Sequence, residues 1–181
     1  MRRLVVYTLL SVDGVAESPD RYFFDFDRDM HANMTGIIAA QDAVLLGRRT
    51  YDEWADYWPT SDHEPFASFV NGVQKYLATS TPPATPWAKT TVINGSIPQF
   101  VRNLKQQPGR DIGVHGSIRL AQSLLGAGLV DELQLVIAPA LAGSGRRLFA
   151  GETDLRRVEL LRSAGTPSGG VLLGYRVSSP A

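Results

Sequence analysis

The sequence has no cysteine among its 181 residues, which excludes disulfide cross-links and thiolate chemistry and leaves the compartment open. No apolar run approaches the roughly 20 residues of a membrane-spanning helix. Neither sign of charge is in excess, with 18 Lys plus Arg against 18 Asp plus Glu. The chain therefore lacks the global basic field of a nucleic-acid binder, and neither nucleic acid nor membrane is expected as a partner. Histidine is scarce: His31, His63 and His115 have no metal-ligand spacing, HExxH is absent, and no metal is expected. GxSxG, Walker A and the full GxGxxG are also missing, so an α/β-hydrolase nucleophile and the commonest nucleotide fingerprints are unsupported. There is no internal repeat, low-complexity tract or domain linker, and one domain over 1–181 is expected. The N-terminal run Leu4 to Leu10 leads straight into Ser11-Val-Asp-Gly14 without a small-residue cleavage site. It reads as a first core strand and not as a signal peptide, and a cytoplasmic location is the default.

The chain is 44% hydrophobic and 20% charged, a globular balance. Its most informative stretch is Asp42 to Trp54. Ala43 to Leu46 is an apolar run too short for a helix and suited to a strand buried on both faces. Gly47, Arg48 and Arg49 follow, and Thr50 with Glu53 three residues on matches a capping box, which predicts a helix starting at Thr50. A helix N-terminus beside two guanidinium groups is a ready phosphate site. The plainer alternative is a tight strand-to-helix turn with two solvated arginines. A second such turn is Gly116-Ser117-Ile118, after the strand Ile112 to His115. Thr79-Ser80-Thr81 follows another strand, Lys75 to Thr79. Two anion-ready turns in one sheet suggest a ligand with more than one phosphate, since open α/β sheets bind ligands at the carboxyl ends of their strands.

Between the first strand and the central stretch, Glu17 to Asp29 mixes Tyr22, Phe23, Phe24 and Phe26 with Asp20, Asp25, Asp27 and Asp29. A helix is predicted from Asp29 to Ala40 with Met30, Met34, Ile37 and Ile38 inward. Phe66 to Val73 reads as a short helix or ordered loop, and Thr90 to Ile93 as a strand. Ser96 and Gln99 form another capping box, opening a helix that Pro108-Gly109 closes. A helix follows Gly116-Ser117, then a strand from Leu133 to Ala138, and finally Arg157 to Arg162 and Val171 to Val177 as a closing strand pair. The alternation indicates an α/β sheet, mostly parallel, with helices on both faces and antiparallel strands at its end.

Five stretches carry a resemblance in order along the chain: Ser11-Val-Asp-Gly14, Val44 to Tyr51, Val114 to Leu120, Leu129 to Leu133 and Gly143 to Phe149. Together they resemble the dihydrofolate reductase-like superfamily, and most closely the reductase domain of bifunctional riboflavin-biosynthesis proteins, the RibD C-terminal family. The resemblance implies a three-layer α/β/α sandwich around an eight-stranded sheet, NADPH as hydride donor and a homodimer. It implies a pterin-like or pyrimidine-like substrate, as in dihydrofolate reductase or the phosphoribosylaminouracil reductase. Gly47, Arg48, Arg49 and Thr50 would hold phosphates, and Thr79, Ser80 and Thr81 the adenosine 2′-phosphate. Gly116, Ser117 and Ile118 would meet the pyrophosphate, and Asp13, Gly14 and Ala16 would border the nicotinamide. Asp29 would be the catalytic proton donor. The chain departs from the family in having His115 before Gly116 where two glycines are common, and a deaminase domain is not expected. The alternative is a non-catalytic nucleotide-binding homodimer that keeps the fold.

Overall fold

The structure is a computed structural model that describes residues 1–150 and 155–178. Its elements follow the chain as β1 (Leu4–Leu10), α1 (Arg28–Ala39), β2 (Gln41–Gly47), α2 (Arg48–Tyr57), α3 (Phe66–Gly72), β3 (Gln74–Ala78) and β4 (Thr90–Val92). They continue as α4 (Ile97–Gln106), β5 (Asp111–His115), α5 (Ile118–Gly126), β6 (Glu132–Ile137), β7 (Val158–Gly165) and β8 (Val171–Val177). The strands form one eight-stranded sheet in the order β4-β3-β2-β5-β1-β6-β8-β7. Its first six members are parallel, and β8 runs antiparallel to both β6 and β7. This is the mostly parallel sheet with a closing antiparallel pair expected from the sequence.

The strand order dictates the layers. From β1 the chain steps one way, through β2 and β3 to β4. It then crosses back to β5 and moves the other way to β6. Right-handed crossovers must therefore put α1 and α2 on one face and α4 and α5 on the other. The packing agrees. Met30, Met34 and Ile38 of α1, Tyr51 and Ala55 of α2, and Phe66 and Val70 of α3 pack with Tyr7, Val44, Leu46 and Leu77. Val101 and Leu104 of α4 and Leu120, Ala121 and Leu124 of α5 pack with Leu4, Val6, Leu45, Ile112 and Val114. Successive residues of β1, β2 and β5 serve opposite cores, so an apolar run without alternation is what these buried strands require.

Two helix starts show how local signals fare. Ser96 caps α4 as predicted, accepting from the Gln99 backbone N–H, while the Gln99 side chain turns to Asn103. The Thr50–Glu53 box does not form. Helix α2 begins two residues earlier, with Gly47 at the N-cap and no capping side chain. Thr50 donates instead to the Gly116 carbonyl at 3.3 Å, and Glu53 accepts from Arg49 at 2.9 Å. A tertiary bond and an i,i+4 ion pair have taken both members of the box.

Candidate functional site

Strands β2 and β5 are neighbours, yet the helices that leave them go to opposite faces of the sheet. A crevice therefore opens between α2 and α5 at the carboxyl ends of the strands, where α/β sheets bind ligands. It is a cavity of about 500 Å³, and its walls include Gly47 to Thr50 and Gly116 to Leu120. The two glycine turns expected to bind phosphate are thus brought together. The Gly47 N–H donates to Ser117 Oγ at 2.9 Å. Gly116 has φ +62, and a Cβ there would meet the Trp54 ring at 3.0 Å, so both conformation and space require glycine.

The helix starts facing this cavity differ from those of α1 and α4. Asp27 caps α1 and Ser96 caps α4, but neither α2 nor α5 has a side-chain cap. Their first-turn N–H groups and their positive dipole ends are left to whatever occupies the crevice. Four arginines, Arg48, Arg49, Arg119 and Arg146, line it against only two carboxylates, Asp52 and Glu53. Arg48 gives Nε to Asp52 at 2.7 Å and Nη1 to Thr81 Oγ1 at 2.8 Å. Arg49 gives Nε to Glu53 and Nη1 to Glu17 at 3.2 Å. The Nη2 groups of both have no partner among the described residues.

Arg119 and Arg146 were not singled out in the sequence. Arg119 lies in the first turn of α5, two residues after Ser117, and that spacing could have flagged it. Arg146 is far away in sequence and arrives through tertiary contacts alone. The Ser11-Val-Asp-Gly14 turn is latched to the Ala142–Arg147 loop. Asp13 accepts from the N–H groups of Ala142 and Gly143, each at 2.9 Å, and from Ser11 Oγ at 2.6 Å. Those bonds, the Ser11 hydroxyl first, lower its carboxyl to about 2. The Ala16 N–H donates to the Arg146 carbonyl, Val15 bridges Arg147, and Glu17 holds Arg146 Nε at 2.9 Å. Asp13, Gly14 and Ala16 are therefore braces of the loop that delivers Arg146 and do not line the cavity. Thr79, Ser80 and Thr81 adjoin it through Arg48, with the Thr79 hydroxyl donating to the Thr81 carbonyl at 2.9 Å.

The acidic segment is largely structural. Asp27 caps α1 and also accepts from the Ser168 N–H and hydroxyl, at 3.0 and 2.7 Å. These bonds overcome its desolvation and hold its carboxyl well below the usual range. Tyr22 donates to the Val15 carbonyl at 2.7 Å. Asp29 is not brought to the crevice: it sits half-exposed in the first turn of α1, 3.3 Å from Arg28. His115 does not obstruct the Gly116 turn. Its ring lies in the core between the sheet and α3, 2.8 Å from Gln41 Oε1 and packed by Tyr7, Phe66 and Phe69. Burial lowers its pKa to about 4, so the imidazole is neutral.

Comparison with known proteins gives a consistent picture. The chain is 26% identical over 178 residues to the uncharacterized protein YyaP of Bacillus subtilis, covering 96% of this chain and 94% of that one. Among solved structures it resembles a protein of Shewanella sp. PV-4 assigned to riboflavin biosynthesis, with a TM-score of 0.79 and 16% identity over 97% of this chain and 99% of that one. It also resembles a pyrimidine reductase-like protein of Corynebacterium diphtheriae, with a TM-score of 0.69 and 14% identity over 99% and 93% of the two chains. Acinetobacter baumannii RibD superposes with a TM-score of 0.67 and 16% identity over 98% of this chain and 58% of the larger one. The sequence profile of the RibD C-terminal domain matches residues 2–172, and the chain belongs to that family.

Proposed function

We propose that the protein is an NADPH-dependent reductase that delivers hydride to a small pterin-like or pyrimidine-like ring. One observation carries the reading: two uncapped helix N-termini and four arginines converge on one crevice at the switch point of the sheet. Such a site asks for a ligand bearing several phosphates. Gly47 to Thr50 and Gly116 to Ile118 would hold the pyrophosphate. Thr79, Ser80 and Thr81, tied to Arg48, would meet the 2′-phosphate. The braced turn of Asp13, Gly14 and Ala16 would border the nicotinamide. The bound cofactor supplies the hydride, and the protein's part is to bind, orient and exclude water. A two-fold homodimer is part of the same proposal.

The second reading, a non-catalytic nucleotide-binding homodimer, draws support from the structural use of Asp27 and Tyr22 and from the distance of Asp29 from the crevice. NADPH consumption measured with a panel of pterin and pyrimidine rings separates the two. Turnover of at least one ring is expected. NADPH binding without turnover of any ring would transfer the assignment to the second reading, and absence of binding would sink both. Because Asp29 pairs with Arg28 outside the cavity, Asp29→Asn is expected to retain turnover within about threefold, whereas loss of a true proton donor costs ~10²-fold or more. A loss of that larger size would restore Asp29 as the acid.

A further inference from the structure

A second cavity lies at the opposite end of the sheet. It has a volume of about 250 Å³ and is bounded by the amino ends of β1, β2, β5 and β6 on one side and by α1 on the other. Six residue steps along β2 lead from its wall residue Gln41 to Gly47, roughly 20 Å at about 3.3 Å per residue. The cavity is thus separated from the phosphate crevice by the length of the strand.

The walls specify a chemistry. Gln41 is 2% exposed, and its Oε1 is taken by His115. Its Nε2 is buried with no partner among the described residues. A buried donor left unsatisfied is costly, and a ligand acceptor would relieve that cost. Two further carboxamides line the cavity, Asn33 of α1 and Gln134 of β6. Asn33 uses its Oδ1 to accept from Arg162 Nη1 at 2.9 Å, and its amide nitrogen has no partner among the described residues. The charged groups balance: Arg3 bonds Asp111 at 2.5 Å and Glu132 at 2.6 Å, and Arg162 is the second cation. Nothing here favours an anion, in contrast to the arginine-rich crevice. Side-chain amides recognise the donor–acceptor edge of another amide, and Val5 and Ile37 offer apolar surface for the face of a ring. The roof of the cavity on α1 is open because Gly36 stands there, and no atom lies within 4 Å of where its Cβ would be.

We propose that this cavity is a second binding site, taking a neutral planar heterocycle with a cyclic-amide edge. Gln41, Asn33 and Gln134 read that edge. The site does not depend on the NADPH reading, since it shares no residue with the crevice.

Uracil is the probe, titrated into isotope-labelled protein without nucleotide while the side-chain amide resonances of Asn33, Gln41 and Gln134 are followed by NMR. Saturable shifts of these three are expected, with a dissociation constant of about 1 mM, the range of a ring-sized ligand. Gly36→Leu should fill the roof and abolish the shifts. Gly36→Ala should leave them intact, and both variants should keep or gain thermal stability because glycine inside a helix is unfavourable. No saturable shift in the wild type, as would follow if a second copy of the chain covers the groove, overturns the proposal. So do shifts that survive in a folded Gly36→Leu protein.

Discussion

At the scale of single residues, His115 shows a side chain used for packing at a position next to the crevice between α2 and α5. Its ring lies back over Gly113, where an added Cβ would collide with Gln41 Oε1 and come within 2.6 Å of His115 Nε2. The glycine at 113, not one at 115, makes room for the pair. Burial pushes the His115 pKa from 6.5 to about 4, so the unfolded chain binds a proton between those values more readily than the folded one. Stability should therefore be lost as pH falls from about 6.5 towards 4, by on the order of 3 kcal/mol at most, and should show no slope from this group above that window. The depressed carboxyls of Asp13 and Asp27 act in a lower window: their stabilisation is present above about pH 4 and fades as they protonate below it. Chemical denaturation at about pH 7 and pH 4.5, repeated on His115→Gln, checks the assignment. The wild type should lose clearly more stability than the variant, and parallel losses would refute it.

At the scale of elements, strand β7 is the least covered part of the sheet. Nearly all its residues are exposed, including Val158 at 44%, Leu160 at 53% and Leu161 at 39%. It is an edge strand of eight residues with exposed apolar side chains, which is a template for pairing with another chain. A two-fold axis beside it would join two sheets through antiparallel β7 strands, an isologous contact. This is the surface on which the proposed homodimer should form. Light scattering at tens of micromolar should give twice the chain mass for the wild type and a monomer for the Leu160→Lys/Leu161→Lys variant. A wild-type monomer, or a dimer indifferent to both lysines, would contradict this interface. The opposite edge, β4, is only three residues long and offers little to pair with.

At the scale of the molecule, the parts of the fold that were legible in the sequence are those fixed by local pattern. Leu4 to Leu10 and Val171 to Val177 are strands within the expected bounds, and Met30, Met34 and Ile38 form the inner face of α1 because period and burial agree there. The two glycine turns were legible because each is built from a strand end and a helix start, both written in consecutive residues. What was not legible depends on partners distant in the chain. Thr50 leaves its capping box for Gly116, Arg146 reaches the crevice through a latch built on Asp13 and Glu17, and Gln41 becomes a cavity wall because His115 folds back to meet it. On the proposed function, the crevice between α2 and α5 holds the phosphates of NADPH. Isothermal titration of NADPH into the wild type and into Arg48→Ala/Arg49→Ala checks this most directly. Saturable wild-type binding is expected, weakened at least about tenfold in the double variant through loss of ~1.4 kcal/mol or more of charge-assisted contact. Equal affinity in the two proteins, or no heat of binding in the wild type, would contradict it.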